Sequence, residues 1–161
     1  MVNKSSDTKP ARTDGRRLRS VRTRQLIIDA YLLLLRESPQ IPTATAIADR
    51  AGYSVRSVFE RFPDLHTLRV AATDHAMSQA SLQVAEHPPR GSRAARLRIH
   101  VETRGRVCEE WLPLWRALNA NQGESAELKE RIRRARELVI QRLETMYRPE
   151  LTSIGPVERQ Q

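Results

Sequence analysis

The 161-residue sequence contains a single cysteine, few aromatic residues and no long hydrophobic run. One cysteine, Cys108, excludes an internal disulfide and a cysteine-rich zinc site. No apolar stretch approaches the ~18 residues of a membrane-spanning helix. The basic N-terminal stretch lacks the apolar segment of a secretory signal. We therefore expect a cytoplasmic protein that has no membrane partner, no bound metal and no cofactor.

The sequence also lacks the patterns by which enzymes are recognised. It has no nucleophile–base pair, no glycine-rich phosphate loop and no cluster of metal ligands. Its four histidines do not have the close spacing of a metal site. The pair Glu109–Glu110 has no neighbour that indicates acid–base chemistry. We expect a protein that binds its partners and does not catalyse a reaction.

Positive charge is abundant and unevenly placed. The net charge is +9 and the pI is about 10.9, a balance that favours nucleic acid or an anionic membrane surface. Residues 1–24 hold eight Lys or Arg against two Asp, whereas residues 25–70 are balanced. We assign DNA contact to this basic arm, in the minor groove or along phosphates; the alternative is a solvated tail. The residues assigned are Arg16, Arg17, Arg19 and Arg22.

Apolar spacing predicts an all-α fold. A first helix over 21–38 has Ile27, Ala30, Tyr31 and Leu34 on one face, at the spacing of a buried helical stripe. The prolines that follow it end the helix and force an extended link. No strand pattern and no internal repeat is present.

Residues 43–68 predict two short helices joined by a tight turn. Thr43 caps a helix over 44–51, and Gly52 allows the positive φ that leaves it. Ser54 caps a second helix over 55–62, and Asp64 caps a third that continues to about residue 86. This order is typical of a helix-turn-helix, whose second helix enters the DNA major groove.

The remaining sequence predicts a helical body. A break at 87–92 precedes a helix from about Arg93, which Pro113 kinks or divides, with an apolar side that includes Leu97, Val101 and Trp111. A loop at 119–125 and a last helix over 126–148, ended by Pro149, follow. We divide the chain into a basic mobile arm (1–20), a helix-turn-helix head (21–68), a ligand-binding and dimerisation body (69–148) and a loose tail (149–161).

The first turn of the second short helix offers groups that can read bases. Arg56 can make a bidentate contact to guanine, worth about 1–3 kcal/mol of discrimination. Val55 can pack on a thymine methyl, and Ser57 can reach a base or a phosphate. Thr43 and Thr45 can bind phosphate at the start of the preceding helix.

Three segments are specific enough to indicate a family. They read RTRQLIIDA (22–30), IADRAGYS (47–54) and VFERFPDLHTL (58–68). Together they resemble, without gaps, the TetR family of bacterial transcriptional regulators. The resemblance implies a repressor that binds palindromic double-stranded DNA as a homodimer and releases it when a small-molecule effector enters the C-terminal domain. It implies DNA contacts at Thr43, Thr45, Val55, Arg56, Ser57, Phe59 and Arg61. We also assign a DNA contact to Ser54, the cap of the second short helix.

The sequence departs from this family in three ways. Phe59 stands where the family usually has Tyr, and Leu65 where it usually has Lys; both usual residues contact phosphate. Phe59 is equally consistent with aromatic packing at the surface of the head. The body is short, because only 13 residues follow Arg148 and the two long C-terminal helices of the family are missing. Either the chain is truncated or it dimerises in another way.

Aromatic and sulfur-containing residues of the body have two interpretations. They can line an effector pocket, or they can be ordinary core at helical spacing. Cys108 fits a buried small hydrophobe better than a redox sensor. The candidate ligand-binding residues are Cys108, Trp111, Trp115 and Met146.

Two functions remain open at this point. The first is a sequence-specific DNA-binding transcriptional regulator, a repressor released by a small molecule. The alternative is a ligand- or protein-interaction module with weakened DNA binding, for example a truncated regulator. The sequence does not identify the operator, the effector or the sign of regulation.

Overall fold

The computed structural model describes the backbone of residues 12–38, 40–120 and 125–153, with side chains except at 12–14, 16 and 153. All regular structure in these ranges is helical, which confirms the predicted all-α fold. None of the described helices has the length and apolarity needed to cross a bilayer. The helices in chain order are α1 (Arg12–Glu37), α2 (Ala44–Ala51), α3 (Val55–Arg61), α4 (Leu65–Glu86), α5 (Arg93–Ala120) and α6 (Ala126–Ser153).

Helix α1 begins well before the predicted start at residue 21. Its first residue is Arg12, so the predicted mobile arm over 1–20 overlaps the helix, and residues 1–11 lie outside the described ranges. Arginine is a good helix former, so the segment extends a helix that the packed side chains of Ile27 and Tyr31 already hold in place. Leu18 and Val21 are 65% and 60% exposed, which means that this extension has no apolar support from the rest of the fold.

The two short helices form as predicted, and each cap is made. Thr43 Oγ1 accepts the N–H of Ala46 at 3.2 Å. Gly52 has φ 72°, and its N–H donates to Asp49 O at 3.2 Å. Ser54 Oγ accepts the N–H of Ser57 at 3.1 Å. The chain therefore turns from α2 into α3 with little freedom in the angle between them.

Helix α4 crosses the predicted boundary at residue 68. Asp64 caps it through the N–H of Thr67 at 2.6 Å. Leu68 and Ala72 are fully buried, and Ala76 is nearly so. One hydrophobic cluster includes buried residues from all six helices of the described chain, so the packing is continuous from α1 to α6.

Neither internal proline ends its helix. Pro113 was expected to kink or divide α5, and the helix is not divided there. Pro149 was expected to end α6, but the helix continues to Ser153. A proline removes one hydrogen bond of the ladder, and packing on both sides can maintain the helix. Trp111 and Leu114 are buried on either side of Pro113. Beyond Pro149, Glu150 is paired with Arg96 of α5, which holds the last turn; residues 154–161 of the predicted tail lie outside the description.

The buried face of α5 is only partly the predicted one: Trp111 and Leu118 are buried, as expected. Leu97 and Val101 were placed on the apolar side, yet they are 46% and 58% exposed. Apolar residues occur around most of this helix, so their spacing does not select one face; packing against α4 and α6 does. The residues that become buried are Thr103, Val107, Trp111, Leu114 and Leu118.

Candidate functional site

The leading end of α3 is open to solvent. The side chain of Arg56 is 87% exposed, and Ser54 is exposed beside it. Val55 and Ser57 are half-buried, with Val55 packed against the core. Val58 and Phe62 are fully buried on the opposite face, as predicted. The helix is thus anchored by one face and presents the first-turn residues of the other.

An acidic residue lies among the cations of this surface. Arg56 Nε donates to Glu60 Oε1 at 3.1 Å, and Arg61 Nη1 lies 3.9 Å from Glu60 Oε2. Exposed ion pairs of this kind contribute little, typically less than about 1 kcal/mol. Glu60 therefore restrains both arginines weakly, and a stronger anionic partner can replace it.

The other predicted contacts of the head surround this surface. Thr43 and Thr45 are exposed on the first turn of α2, and the Thr43 hydroxyl is already used as the cap. Phe59 is 42% exposed, so its ring is available to a partner as well as to packing. Arg61 is one-third exposed.

The arginines of α1 face solvent along the extension of the helix. Arg17, Arg19 and Arg22 are exposed, while the side chain of Arg16 lies outside the described set. Near the base of this extension, Thr23 Oγ1 lies 3.3 Å from Tyr53 Oη, in the turn before α3, and can accept the tyrosine hydroxyl proton because its own proton is donated to Arg19 O. This contact attaches the base of the extension to the turn between α2 and α3.

Two arginines that the sequence analysis did not assign fix the position of α3 and α2. Arg24 Nη1 donates to Arg61 O at 2.9 Å, at the negative end of the α3 dipole, and its guanidinium lies 4.1 Å from the Phe62 ring centroid. Arg50 makes a two-bond pair with Glu37, at 2.7 and 2.5 Å. This hydrogen bonding lowers the pKa of Glu37. No local sequence pattern distinguishes these two arginines, because both partners lie on other helices.

A cavity of about 210 Å³ lies between α4, α5 and α6. Trp111 and Trp115, two of the four predicted ligand-binding residues, line it. Cys108 and Met146 do not: Cys108 faces away, half-exposed, and Met146 lines a second cavity beside α6. The reason is the rotation of α5, which turns Trp111 inward and carries Cys108 toward the exposed side.

The cavity wall contains buried polar atoms that have no hydrogen-bond partner within the described chain. They are Nδ1 of His100, Oγ1 of Thr103 and Nε1 of Trp111. Thr103 is 3% exposed and Trp111 is 5% exposed. Buried polar atoms are nearly always paired, so three unpaired atoms in the wall of one cavity are unusual. Each has almost no exposed surface, so a molecule in the cavity reaches them only when side chains of the wall move. The i, i+3, i+11 spacing of these polar residues in α5 was the available signal, and the sequence analysis missed it for His100 and Thr103.

Charge in the cavity wall is positive. Arg142 of α6 donates to the backbone carbonyls of Val84 and His87, both at 3.1 Å, and burial lowers its pKa. The pKa of His100 is also lowered, first by burial and then by Arg142 and Arg104. None of the described residues that line this cavity is Asp or Glu.

A set of contacts joins the cavity wall to α1. Arg36 lies over the Trp111 ring at 5.5 Å and reaches Glu110 Oε1 at 3.5 Å. The other oxygen of Glu110 accepts from Gln83 of α4 at 2.5 Å. A shift of Trp111 therefore reaches α1 through Arg36 and Glu110.

Comparison with known proteins adds no assignment. No protein-family model matches the chain, and no curated protein and no solved structure is significantly similar to it. Among the described residues, no group of three or more potential metal ligands comes together.

Proposed function

We propose that the protein is a sequence-specific DNA-binding transcriptional regulator, a repressor released by a small molecule. The observation that carries the proposal is the leading end of α3, where Arg56 projects into solvent from a helix anchored in the core. In this proposal α2, Gly52 and α3 act as a helix-turn-helix. Arg56, Ser57 and Val55 read base edges in the major groove.

Phosphate contacts position this helix on the duplex. Thr43 and Thr45 contribute exposed hydroxyl and N–H groups at the start of α2, and Arg61 reaches the backbone. Arg17, Arg19 and Arg22 project along the α1 extension, which brings positive charge to the same end of the molecule. Their role is affinity, since phosphate contacts carry no sequence information.

Two copies are required if the operator is a palindrome. Helix α5 has an exposed apolar stripe formed by Leu97, Val101 and Leu112, which are 46%, 58% and 41% exposed. These positions lie on one side of a helix of 3.6 residues per turn. We assign this stripe to a homodimer contact. In a two-fold dimer the same patch of both copies meets, so the apolar side chains of each would be removed from water. Sedimentation at increasing concentration measures the dimer, and Val101→Glu should shift it to monomer.

Helix α4 provides the route from effector to DNA. It begins at the end of the head, directly after α3, and lines the cavity farther along through Thr73, Ala76 and Ala80. An effector that changes the position of α4 also changes the position of α3 relative to the second copy. The contacts of Arg36 with Trp111 and Glu110 couple the cavity to α1 in parallel.

A salt titration with two variants tests the DNA proposal. Arg56→Ala should lower affinity for the cognate duplex by about 1–3 kcal/mol and relax preference at one base pair. Arg17→Ala should weaken cognate and random duplexes about equally and reduce the slope of affinity against salt. Both arginines are exposed, so neither change should alter the fold. If Arg56→Ala changed neither affinity nor preference, α3 would not be the recognition helix.

The second candidate is an interaction module with weakened DNA binding. The observation that favours it is the phosphate-facing chemistry of α3: Phe59 has no hydroxyl, and exposed Glu60 brings negative charge between Arg56 and Arg61. This candidate predicts equal, weak binding to every duplex. The same titration separates the two, because a regulator prefers one site by orders of magnitude.

A further inference from the structure

The hydroxyl of Thr103 differs from those of other helical threonines. Thr23, Thr73 and Thr145 each donate to the carbonyl four residues back, at 2.8 or 2.9 Å. Thr103 makes no such bond, although it is almost completely buried. A buried hydroxyl without a partner costs about 1–3 kcal/mol of stability. The protein's own groups do not offset this cost for Thr103, whereas a bound molecule could supply the hydrogen bond.

Donors are gathered at one end of the cavity. Arg142 uses Nη1 and Nη2 once each on the carbonyls of Val84 and His87, which leaves further N–H groups of its five, and no described carboxylate is paired with it. His100, Thr103 and Arg104 lie close together on the facing turns of α5. This end therefore has a positive charge that contacts the carbonyls at the C-terminal end of α4 and is paired with no described carboxylate, beside the unpaired hydroxyl of Thr103.

The other end of the cavity is apolar with a single donor. Trp111 lies eight residues beyond Thr103, about 12 Å along the helix axis. Its ring and that of Trp115 form an aromatic wall, and the Nε1–H of Trp111 can only donate. Between the two ends, α4 contributes Ala76 and Ala80 to the wall.

We propose that this cavity binds an elongated apolar monocarboxylate, with the carboxylate at Arg142 and Thr103 and a second hydrogen-bond acceptor at Trp111. The inference rests on the proposed function, in which the cavity receives the effector. Its volume supports the size, since an engineered cavity of about 150 Å³ holds benzene, and this one is about 210 Å³. A medium-chain alkanoate with a terminal hydroxyl fits this description.

His100 makes the binding dependent on pH. The charged groups that face it are Arg104 on α5 and Arg142 on α6, while the cavity-lining residues of α4 have no charge. Its lowered pKa keeps the ring neutral, and a bound carboxylate raises that pKa again. Affinity should therefore increase as pH falls toward the lowered pKa of His100, and His100→Gln should remove this increase.

Tryptophan fluorescence measures occupancy directly, because both tryptophans of the chain line the cavity. The full chain is titrated, without DNA, with octanoate, 8-hydroxyoctanoate, octanamide and octanol. We expect saturable binding of the two acids, about tenfold tighter than the amide or the alcohol, and tighter binding of the hydroxy acid. Equal affinity for acid and amide would overturn the carboxylate assignment, and no saturable change with any probe would overturn the site.

Two matched pairs of variants test the polar contacts. Thr103→Val should weaken octanoate binding while raising the unfolding temperature of the free protein, since it removes an unpaired buried hydroxyl. Thr73→Val is the control: it lines the same cavity, but its hydroxyl is already bonded, so binding should change little. Trp111→Phe should abolish the preference for the hydroxy acid, whereas Trp115→Phe should retain it. If the two threonine variants bound octanoate equally, Thr103 would have no role.

These measurements separate the inference from the function on which it rests. Failure of DNA binding would leave octanoate binding unchanged. Failure of octanoate binding would leave the preference for one duplex unchanged, and would remove only the identity of the effector.

Discussion

The head and the body differ in how their interiors are packed. In the head, Thr43 and Ser54 cap α2 and α3, and Ile47, Val58 and Phe62 are fully buried. In the body, α4, α5 and α6 leave a cavity whose wall has unpaired polar atoms. We expect the core of the head to need no ligand, whereas in the proposed function the cavity of the body receives one.

The largest expected effect compares removal of side chains in the two regions. Phe62→Ala should destabilise the protein by about 3–5 kcal/mol, because Phe62 is fully buried in the closed core. Leu138→Ala should cost far less, within about 0.5 kcal/mol, because Leu138 is 44% exposed where it lines the cavity. Chemical denaturation measures both. A similar cost for the two would contradict the contrast between closed core and cavity.

Enlarging a buried alanine should destabilise the head but stabilise the body. Ala48→Leu should destabilise by about 1–3 kcal/mol, since Ala48 is 1% exposed and no space adjoins it in the head core. Ala135→Leu points into the cavity and should stabilise the free protein by about 0.5–2 kcal/mol. It should also block octanoate. Thermal unfolding with and without the acid checks both variants, and loss of stability in Ala135→Leu would show that the cavity cannot be filled.

Glycine substitutions compare the turn of the head with a helix of the body. Gly52 has φ 72°, so Gly52→Ala should cost about 1–2 kcal/mol, although the added methyl meets no atom within 4 Å. Gly105→Ala lies inside α5 with open space around it and should stabilise by about 0.5–1 kcal/mol. Denaturation at matched protein concentration measures the pair. Equal signs would mean that backbone conformation does not control these positions.

The smallest effect is the pH dependence of the Asp64 cap. Hydrogen bonds from Thr67 lower the pKa of Asp64 from 3.8, so the folded state binds this proton less readily than the unfolded state. Its contribution to stability is therefore present above pH 3.8 and is lost as pH falls through the lowered value. Asp64→Asn keeps a cap but not the charge. The difference in unfolding temperature between the two proteins should disappear at low pH. A difference that stays constant with pH would show that the charge of Asp64 does not contribute to stability.

Local chemistry explains which features could be predicted from the sequence. The caps Thr43, Ser54 and Asp64 and the turn at Gly52 depend on neighbours within four residues, and all four formed as predicted. Burial of Val58 and Phe62 follows from the short, strongly patterned α3.

The predictions from sequence failed where the local structure depends on residues that are distant along the chain. Pro149 stays inside α6 because Arg96 of another helix holds Glu150. The buried face of α5 was predicted only in part: Trp111 is buried as expected, whereas packing leaves Leu97 and Val101 exposed. The roles of Arg24 and Thr103 likewise depend on groups that the local sequence does not identify.

Selection of duplexes from a random-sequence pool by the intact protein tests the central claim most directly. The account predicts enrichment of one palindromic site, loss of that enrichment with Arg56→Ala, and steep weakening of binding with salt. Recovery of an unenriched pool, with the intact protein and Arg56→Ala retaining the same duplexes, would contradict it.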